Sequence, residues 1–276
     1  MDTNDLIKKL TEEMEQKYGN KTSTASNTIT NTVDTGYVGI FENVEDAIMA
    51  SKQSQKQLME LTMKKRKEII AAMRKASLEN SEKLAIMAHE ETGFGRVDDK
   101  IIKNRLAAEM TPGTEDLVAY TFTGDHGLTL VELAPYGVIG SITPSTNPSS
   151  TVINNSIGMV AAGNGVVFNP HPSAKKVTSE SISILNKAIY SAGGPKELLT
   201  APLNPTMDTS QVIMTHKDVR ILVVTGGEAV VGVAMKSGKK VIAAGPGNPP
   251  VIVDETANIK KAAYDVLRGA SFDNNI

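Results

Sequence analysis

The feature that most constrains the fold is an alternation of short apolar runs and helical patterns from Tyr136 onward. The apolar runs predict strands, and the periodicity between them predicts helices. Successive strands joined through helices pair in parallel, so the alternation predicts an α/β fold with a doubly wound parallel sheet. The predicted strands are 138–142, 166–168, 220–224, 240–243 and 251–253, and the predicted helices are 151–162, 174–191, 228–236 and 257–268.

A helical segment and a hairpin are predicted ahead of this sheet. Helical patterns extend from residue 41 to about 108, with Asn43 and Ser81 as predicted N-caps. Two strand-like runs, 117–123 and 128–133, then flank a Gly-Asp-His-Gly sequence whose residue types suit a tight turn. We expect residues 37–276 to form a single domain.

The amino-terminal 36 residues have a different composition. Residues 1–19 predict an amphipathic helix, with Leu6, Leu10 and Met14 on its apolar side. Ten of the fifteen residues 20–34 are Ser, Thr or Asn, which predicts a flexible linker over 20–36. A helix on such a linker is either a frayed terminus or a peptide that docks into a partner's groove.

Composition excludes several functions. A net charge of −2 gives no field to attract nucleic acid or anionic lipid, so neither is expected as a partner. No apolar run approaches the roughly 20 residues that span a bilayer, and no secretory signal is recognisable, so we expect a cytoplasmic protein. With no cysteine and four scattered histidines, no disulfide, thiol nucleophile or metal site is expected within these residues.

Four turns rich in small or rigid residues follow the predicted strands. They are 143–148 (TPSTNP), 169–172 (NPHP), 225–227 (TGG) and 245–250 (GPGNPP). Ligands of open α/β sheets bind beyond the carboxyl ends of the strands, where helix N-termini offer free N–H groups to phosphates. The sequence contains no G-x-G-x-x-G and no G-x-S-x-G, and Val233 replaces the first glycine that a P-loop before Ser237-Gly238-Lys239 would need.

At these turns the chain resembles the CoA-acylating aldehyde dehydrogenases. The resemblance runs from about Gly39 to Ile276, and the similarity is greatest to the propionaldehyde and acetaldehyde dehydrogenases of bacterial microcompartments that degrade propanediol or ethanolamine. The aldehyde dehydrogenase half of bifunctional aldehyde-alcohol dehydrogenases is a more distant match. The segments that carry the resemblance are 135–148 (PYGVIGSITPSTNP), 161–164 (AAGN), 168–176 (FNPHPSAKK), 225–227, 247–257 (GNPPVIVDETA) and 271–275 (SFDNN).

The resemblance implies an aldehyde dehydrogenase-like Rossmann-type fold and an NAD-dependent oxidoreductase that converts a small aldehyde to acyl-CoA, with coenzyme A as co-substrate. A cysteine thiolate would form the covalent intermediate. Asn147 is the implied side-chain donor to the oxyanion, with Thr146 as the alternative. The implied cofactor-binding residues are Thr143, Pro144, Ser145, His171, Pro172, Thr225, Gly226, Gly227, Val230, Gly245 and Gly247. Among them Thr225, Gly226 and Gly227 would lie under the pyrophosphate, and His171 and Pro172 beside the adenosine ribose.

Two departures from related patterns carry expectations. Hydrolytic relatives have a glutamate just before the Gly245 turn, where this chain has Ala243-Ala244, so a thioester would survive for a thiol acceptor. Glu228 suits the first turn of a helix, but its charge would repel a nearby phosphate and lower the affinity for NAD.

In the family, a Pro-Cys pair follows the Phe-Asp-Asn-Asn run, whereas this sequence ends at Ile276. The expectation is an NAD-binding portion that is inactive alone, exposes apolar surface, and forms a homo-oligomer when full length. Residues 1–19 resemble the encapsulation peptides of microcompartment enzymes, which implies a shell protein as partner.

Three alternatives remain. The first is the aldehyde dehydrogenase part of a bifunctional aldehyde-alcohol dehydrogenase. A non-catalytic adaptor would dock through residues 1–19 without binding NAD. A semialdehyde dehydrogenase acting on an acyl phosphate would need a substrate-phosphate site, which the sequence does not display.

Overall fold

A six-stranded parallel sheet organises the residues that the computed structural model describes, which are 36–245, 247 and 249–276. The predicted helix of residues 1–19 and all of the predicted linker except Gly36 lie outside these residues. The strands are β1 (Ile40–Phe41), β2 (Tyr120–Gly124), β3 (Gly127–Val131), β4 (Val138–Thr143), β5 (Gly165–Pro170), β6 (Leu199–Pro202), β7 (Val219–Thr225) and β8 (Lys240–Ala244). The helices are α1 (Val44–Met59), α2 (Met63–Glu79), α3 (Ser81–Thr92), α4 (Val97–Met110), α5 (Pro148–Ala161), α6 (Lys175–Ser191), α7 (Met207–Thr215), α8 (Glu228–Met235) and α9 (Ile259–Ser271).

The sheet order is β1-β6-β5-β4-β7-β8, with every neighbouring pair parallel. From β4 the chain proceeds outward through β5 and β6 on one side, and later through β7 and β8 on the other. The predicted doubly wound sheet is therefore confirmed, and its topological switch point lies between β4 and β7.

Both faces of the central strands are covered by helices. Side chains of a strand alternate between the two faces, so neighbouring residues pack in different layers. Phe168 of β5 packs with Ile153 of α5 and Ile189 of α6. Its neighbour Val167 points to the other face and packs with Ile48 of α1 and Ile213 of α7. Such two-sided burial is what the near-continuous apolar runs of parallel strands predict.

The two predicted N-caps have different outcomes. Asn43 caps α1 by accepting a hydrogen bond from the Glu45 amide at 2.9 Å. The prediction for Ser81 is wrong, since Asn80 precedes α3 and Ser81 is its first residue. The Ser81 Oγ is buried and accepts a hydrogen bond from Arg105 Nε at 3.4 Å, so tertiary packing engages the oxygen that would otherwise cap the helix.

The predicted hairpin is confirmed by antiparallel pairing of β2 and β3, with Gly124 opposite Gly127 at the turn. The predicted strand over 251–253 is wrong, because these residues form no strand and are exposed. Pro249 and Pro250 directly before it lack backbone N–H donors, and within the described residues no strand lies beyond β8 to pair with it. Sequence analysis also missed β1, β6 and α7. None of the described helices is both long and apolar enough to cross a membrane.

Candidate functional site

The carboxyl ends of β5, β4, β7 and β8 lie side by side in that order. Thr143 stands opposite Pro170, Ile142 opposite Val224, and Thr225 opposite Ala244. All four predicted turns therefore begin at one edge of the sheet, around its switch point. Ligands of open α/β sheets bind at such an edge.

Thr143 ends β4 at the centre of this edge. Its backbone oxygen accepts a hydrogen bond from the His171 amide at 3.1 Å, which links the turn after β5 to the turn after β4. The Thr143 hydroxyl is buried and has no hydrogen-bond partner among the described residues. A buried hydroxyl without a partner is costly, and such a group at a ligand-binding edge is a candidate contact for a ligand. Pro144 and Ser145 continue from it as half-buried residues.

The turn after β7 presents open backbone. Gly227 occupies the N-cap position of α8, and a Cβ built on Gly226 or Gly227 would meet no atom within 4 Å. The first amides of a helix have no acceptor within the helix, so this turn offers N–H groups to an anion. Val230 N donates to Gly227 O at 3.1 Å and holds the turn in place, while Glu228 is exposed in the first turn.

The turn after β8 is exposed. Gly245 and Gly247 also have no atom within 4 Å of a built Cβ. Ala243 and Ala244 before them are exposed as well. Because both residues are alanines, the end of this strand brings no carboxylate to the edge.

His171 and Pro172 lie at the end of β5, and both are exposed. The His171 Nδ1 accepts a hydrogen bond from the Ser173 amide at 3.2 Å, at the start of a short 3-10 turn (Pro172–Ala174). The helix that follows is already closed at its N-terminus. Both oxygens of the Glu91 carboxylate accept amide hydrogen bonds there, from Lys176 at 2.8 Å and Val177 at 2.7 Å. Of the helices after β5 and β7, α8 is therefore the one whose first turn is open to a phosphate.

Asn147 lies just before α5 in a cluster of charges that sequence analysis missed. Lys103 Nζ donates to Asn147 Oδ1 at 3.0 Å and to Asp273 Oδ2 at 2.6 Å. Lys100 Nζ donates to Thr146 O at 2.9 Å and lies 3.3 Å from the same Asp273 oxygen. Burial lowers the pKa of Lys100, and the attraction of Asp273 partly offsets this. The only sequence signal was a pair of lysines three residues apart on one helix face.

The segment that carries Asp273 follows α9. Asp273, Asn274 and Asn275 have positive φ values of 48°, 56° and 61°. Asp273 is fully buried, and its Oδ1 accepts a hydrogen bond from the Arg96 amide at 2.7 Å. A Cβ on Gly95 would lie only 2.0 Å from that oxygen, so only a glycine leaves room for the carboxylate. Asn147 and the Phe-Asp-Asn-Asn run, 125 residues apart in sequence, thus meet through Lys103.

A cavity of 370 Å³ lies elsewhere, between the end of α1 and the loop before β6. Gln53, Gln57, Tyr190 and Glu197 are among its lining residues. It lies near the amino ends of the strands and contains none of the predicted site residues. The switch-point edge combines free helix amides with a buried hydroxyl that has no partner within the described part of the chain, so we take that edge as the candidate site.

Comparison with known proteins agrees with this geometry. The aldehyde dehydrogenase family matches residues 15–274, and the chain belongs to this family. The acetylating acetaldehyde dehydrogenase of Bilophila wadsworthia is 54% identical over 244 residues, which are 88% of this chain and 50% of that protein. The CoA-propanoylating propanal dehydrogenase of Salmonella typhimurium is 47% identical over 238 residues, 86% of this chain and 51% of that protein. The bifunctional aldehyde-alcohol dehydrogenase of Escherichia coli, 36% identical over 228 residues, is more distant, as expected; the match covers 82% of this chain and 26% of that protein.

Solved structures give the same result. A propionaldehyde dehydrogenase from the fucose utilisation microcompartment of Clostridium phytofermentans is 51% identical, with a TM-score of 0.84 over 86% of this chain and 55% of that one. A propionaldehyde dehydrogenase of Rhodopseudomonas palustris, solved with bound CoA and an acylated cysteine, is 48% identical, with a TM-score of 0.83 over 86% of this chain and 54% of that one. An engineered glycolyl-CoA reductase with bound NADP+ has the same identity, a TM-score of 0.84, and the same coverage. The chain spans about half the length of the curated CoA-acylating relatives it matches.

Proposed function

We propose that this chain supplies the nucleotide-binding portion of a CoA-acylating aldehyde dehydrogenase that oxidises a small aldehyde such as propionaldehyde or acetaldehyde. In the proposed reaction a cysteine thiolate would add to the aldehyde, bound NAD would accept the hydride, and the CoA thiol would take over the acyl group with the cysteine thiolate as leaving group. The nucleophile is not among the residues of this sequence, which contains no cysteine. The two relatives at 54% and 47% identity, an acetylating acetaldehyde dehydrogenase and a CoA-propanoylating propanal dehydrogenase, support this assignment.

The observation that carries the nucleotide site is the pairing of an unsatisfied buried hydroxyl with an open helix N-terminus at the switch point. Thr143 Oγ1 lacks a partner among the described residues, and Gly226 and Gly227 leave the amides at the start of α8 uncovered. These residues fit a dinucleotide, whose pyrophosphate needs N–H donors and close approach to the backbone. When bound, NAD supplies the hydride acceptor. The remaining predicted contacts, from Pro144, Ser145, His171, Pro172, Thr225, Val230, Gly245 and Gly247, border the same edge and belong to the proposal.

Asn147 is proposed as the oxyanion donor because its side-chain oxygen is engaged by Lys103, which leaves the amide N–H groups to donate. A preorganised N–H aimed at developing negative charge is the usual device in acyl transfer. The end of β8, Ala243-Ala244, brings no carboxylate to activate water, which favours a thiol as acyl acceptor.

We propose NAD as the cofactor, although one solved relative carries NADP+. We further propose a cytoplasmic location inside a bacterial microcompartment, with residues 1–19 as the segment that binds a shell protein. A relative from a microcompartment supports this proposal. A homo-oligomer of the full-length enzyme is proposed as well.

The test has a binding arm and an activity arm. Calorimetric titration of the chain with NAD and with NADP+ should give saturable binding that is tighter for NAD. The chain joined after Ile276 to the carboxyl-terminal half of the Bilophila enzyme should form NADH from propionaldehyde only when CoA is present. A cysteine-to-alanine change in the added half is the control. Absence of binding to either nucleotide, with shell docking by residues 1–19 retained, would instead support the adaptor.

A further inference from the structure

Lys103, beneath Asn147, has an acceptor for every proton of its ammonium group. The Lys103 ammonium has three donors, and three acceptors surround it, namely Asn147 Oδ1 at 3.0 Å, Asp273 Oδ2 at 2.6 Å and the Ile276 backbone oxygen. Its side chain is largely buried, with 19% of its surface exposed. Each proton of this ammonium therefore has an assigned acceptor, and the side chain is held by three contacts.

The contact with Asn147 decides which way the amide faces. An ammonium donates but cannot accept, so it pairs with the amide oxygen and rejects the amide nitrogen. A flip of the Asn147 side chain would place its NH2 group against Lys103 and bring two donors together. In the orientation that Lys103 enforces, the NH2 group points away from the ammonium and remains available to a ligand.

The surrounding charges favour an anion beside Asn147. Lys100, Lys103 and Arg96 are the cations of the cluster, and Asp99 and Asp273 are its anions. Three positive charges against two negative ones leave a surplus of one positive charge. Asp273 has no exposed surface, so the ion pairs that fix both lysines are shielded from solvent, where electrostatic interactions are stronger.

We infer that Lys103 is a positioning residue for acyl transfer: it fixes the Asn147 amide as an N–H donor and is itself held by the buried carboxylate of Asp273. The inference rests on the proposed function, since it assigns a supporting residue to the proposed oxyanion donor. The Phe-Asp-Asn-Asn segment, whose backbone is left-handed at Asp273, Asn274 and Asn275, docks on α4. That docking delivers the Asp273 carboxylate to both lysines.

The first experiment uses the 276-residue chain itself and requires no catalysis. The side-chain NH2 signals of Asn147, assigned by their loss in Asn147→Ala, are followed in a ¹⁵N correlation spectrum. Lys103→Met should shift or broaden them, because the amide is then free to flip. Lys103→Arg, which keeps a cationic donor, should retain signals close to those of the unchanged chain. The matched control is Lys52→Met, which breaks another ion pair, with Asp218 at 2.7 Å, and should leave the Asn147 signals in place.

The second experiment measures kcat and KM in the fusion with the Bilophila carboxyl-terminal half. Removal of an oxyanion donor typically lowers kcat about 10²–10³-fold, so Asn147→Ala should fall in this range. Lys103→Met should lower kcat roughly tenfold or more with an unchanged KM for the aldehyde, because it misorients a group used in the transition state. In an Asn147→Ala background, Lys103→Met should have no further effect on kcat.

The outcomes separate the two proposals. The fusion could be inactive while the Asn147 signals of the chain shift in Lys103→Met and persist in Lys103→Arg. That result would count against the proposed function alone. An active fusion in which the Lys103→Met loss persists undiminished without Asn147 would overturn the positioning role. Unchanged Asn147 signals in Lys103→Met would also overturn it.

Discussion

The two sides of the sheet follow the same strand–helix pattern but differ in how much of it is covered. On one side β4 and β5 are buried along their whole length, and helices pack on both of their faces. On the other side β8 is exposed at four of its five residues, and α9 buries none of its residues. Apolar side chains there remain in solvent, with Ile252 92% and Leu267 68% exposed.

This difference shows that an amphipathic pattern indicates which face of an element is apolar, but not what covers that face. Parallel sheets are stable when both faces are covered, so the β8–α9 side has apolar surface that is suited to another domain or subunit. The candidate site lies at the border between the two sides. Thr143 lies at the end of a fully buried strand, whereas Gly226 and Gly247 lie in the turns of the exposed side.

The largest effect should come from deletion of core volume on the buried side. Phe168→Ala should lower the free energy of unfolding by about 3–5 kcal/mol, since the side chain is fully buried and leaves a cavity. Leu267→Ala on the open side should change it by less than about 0.5 kcal/mol. Urea unfolding of both variants measures the contrast. Similar losses in the two variants would mean that α9 is packed more tightly than its exposure indicates.

A second contrast uses one glycine from each side. A Cβ on Gly140 of β4 would lie 2.7 Å from Ile213 and 2.9 Å from Leu222, so Gly140→Ala should cost about 1–3 kcal/mol of stability. Gly226 has open space around its Cβ position, so Gly226→Val should leave stability unchanged while it weakens NAD binding at least about tenfold by steric exclusion. Thermal unfolding and calorimetric titration separate the two effects. Unchanged NAD affinity in Gly226→Val would contradict the proposed position of the pyrophosphate at this turn.

A smaller effect is expected at Glu228, where stability and binding should change in opposite directions. Glu228→Gln removes a negative charge from the first turn of α8, which should cost about 0.5 kcal/mol of stability because the helix dipole favours an anion there. The same change should tighten NAD binding by about threefold at low salt, because a like charge near the pyrophosphate is lost. Titrations at low and high ionic strength provide the check, since the gain should shrink as salt increases.

The smallest effect should come from Glu197 beside the cavity at the amino ends of the strands. Burial raises the pKa of this carboxyl, and the nearby Lys196 offsets only part of the increase. A raised folded-state pKa means that ionisation costs stability, so the cost is absent below the unfolded pKa and complete above the folded one. Glu197→Gln should therefore stabilise the chain at pH 7, by less than about 0.5 kcal/mol, and have no effect near pH 4. Unfolding curves at the two pH values measure this, and equal stabilisation at both would contradict the assignment.

Sequence patterns predicted the sheet well where local and tertiary requirements coincide. The runs that became β4, β5 and β7 are apolar on both faces, so burial and strand propensity agree. The same reasoning failed at 251–253, where Val-Ile-Val suits a strand but no neighbouring strand is present within the described residues. It also missed β1, which has only two residues, and β6, whose sequence Leu-Thr-Ala-Pro is not a continuous apolar run.

For the site, turn chemistry alone predicted which segments would meet. Small residues after successive parallel strands must gather at one edge, and the register of β4, β5, β7 and β8 confirms that they do. The roles of the individual residues in binding and catalysis stay predictions. The orphaned hydroxyl of Thr143 could not be foreseen, since whether a threonine oxygen has a partner depends on residues far away in the chain.

The amino-acid sequence by itself determined the alternation of β4, β5, β7 and β8 with helices, the edge of the sheet where the ligand turns lie, and the family to which the chain belongs. These follow from local periodicity, from turn residues, and from long segments whose identity is preserved. Only the tertiary structure decided that Lys100 and Lys103 share the buried Asp273 and that Lys103 orients Asn147. These contacts, across 44 and 170 residues, depend on how α4, α5 and the segment after α9 pack, because a side chain's charge partners are set by its neighbours in space.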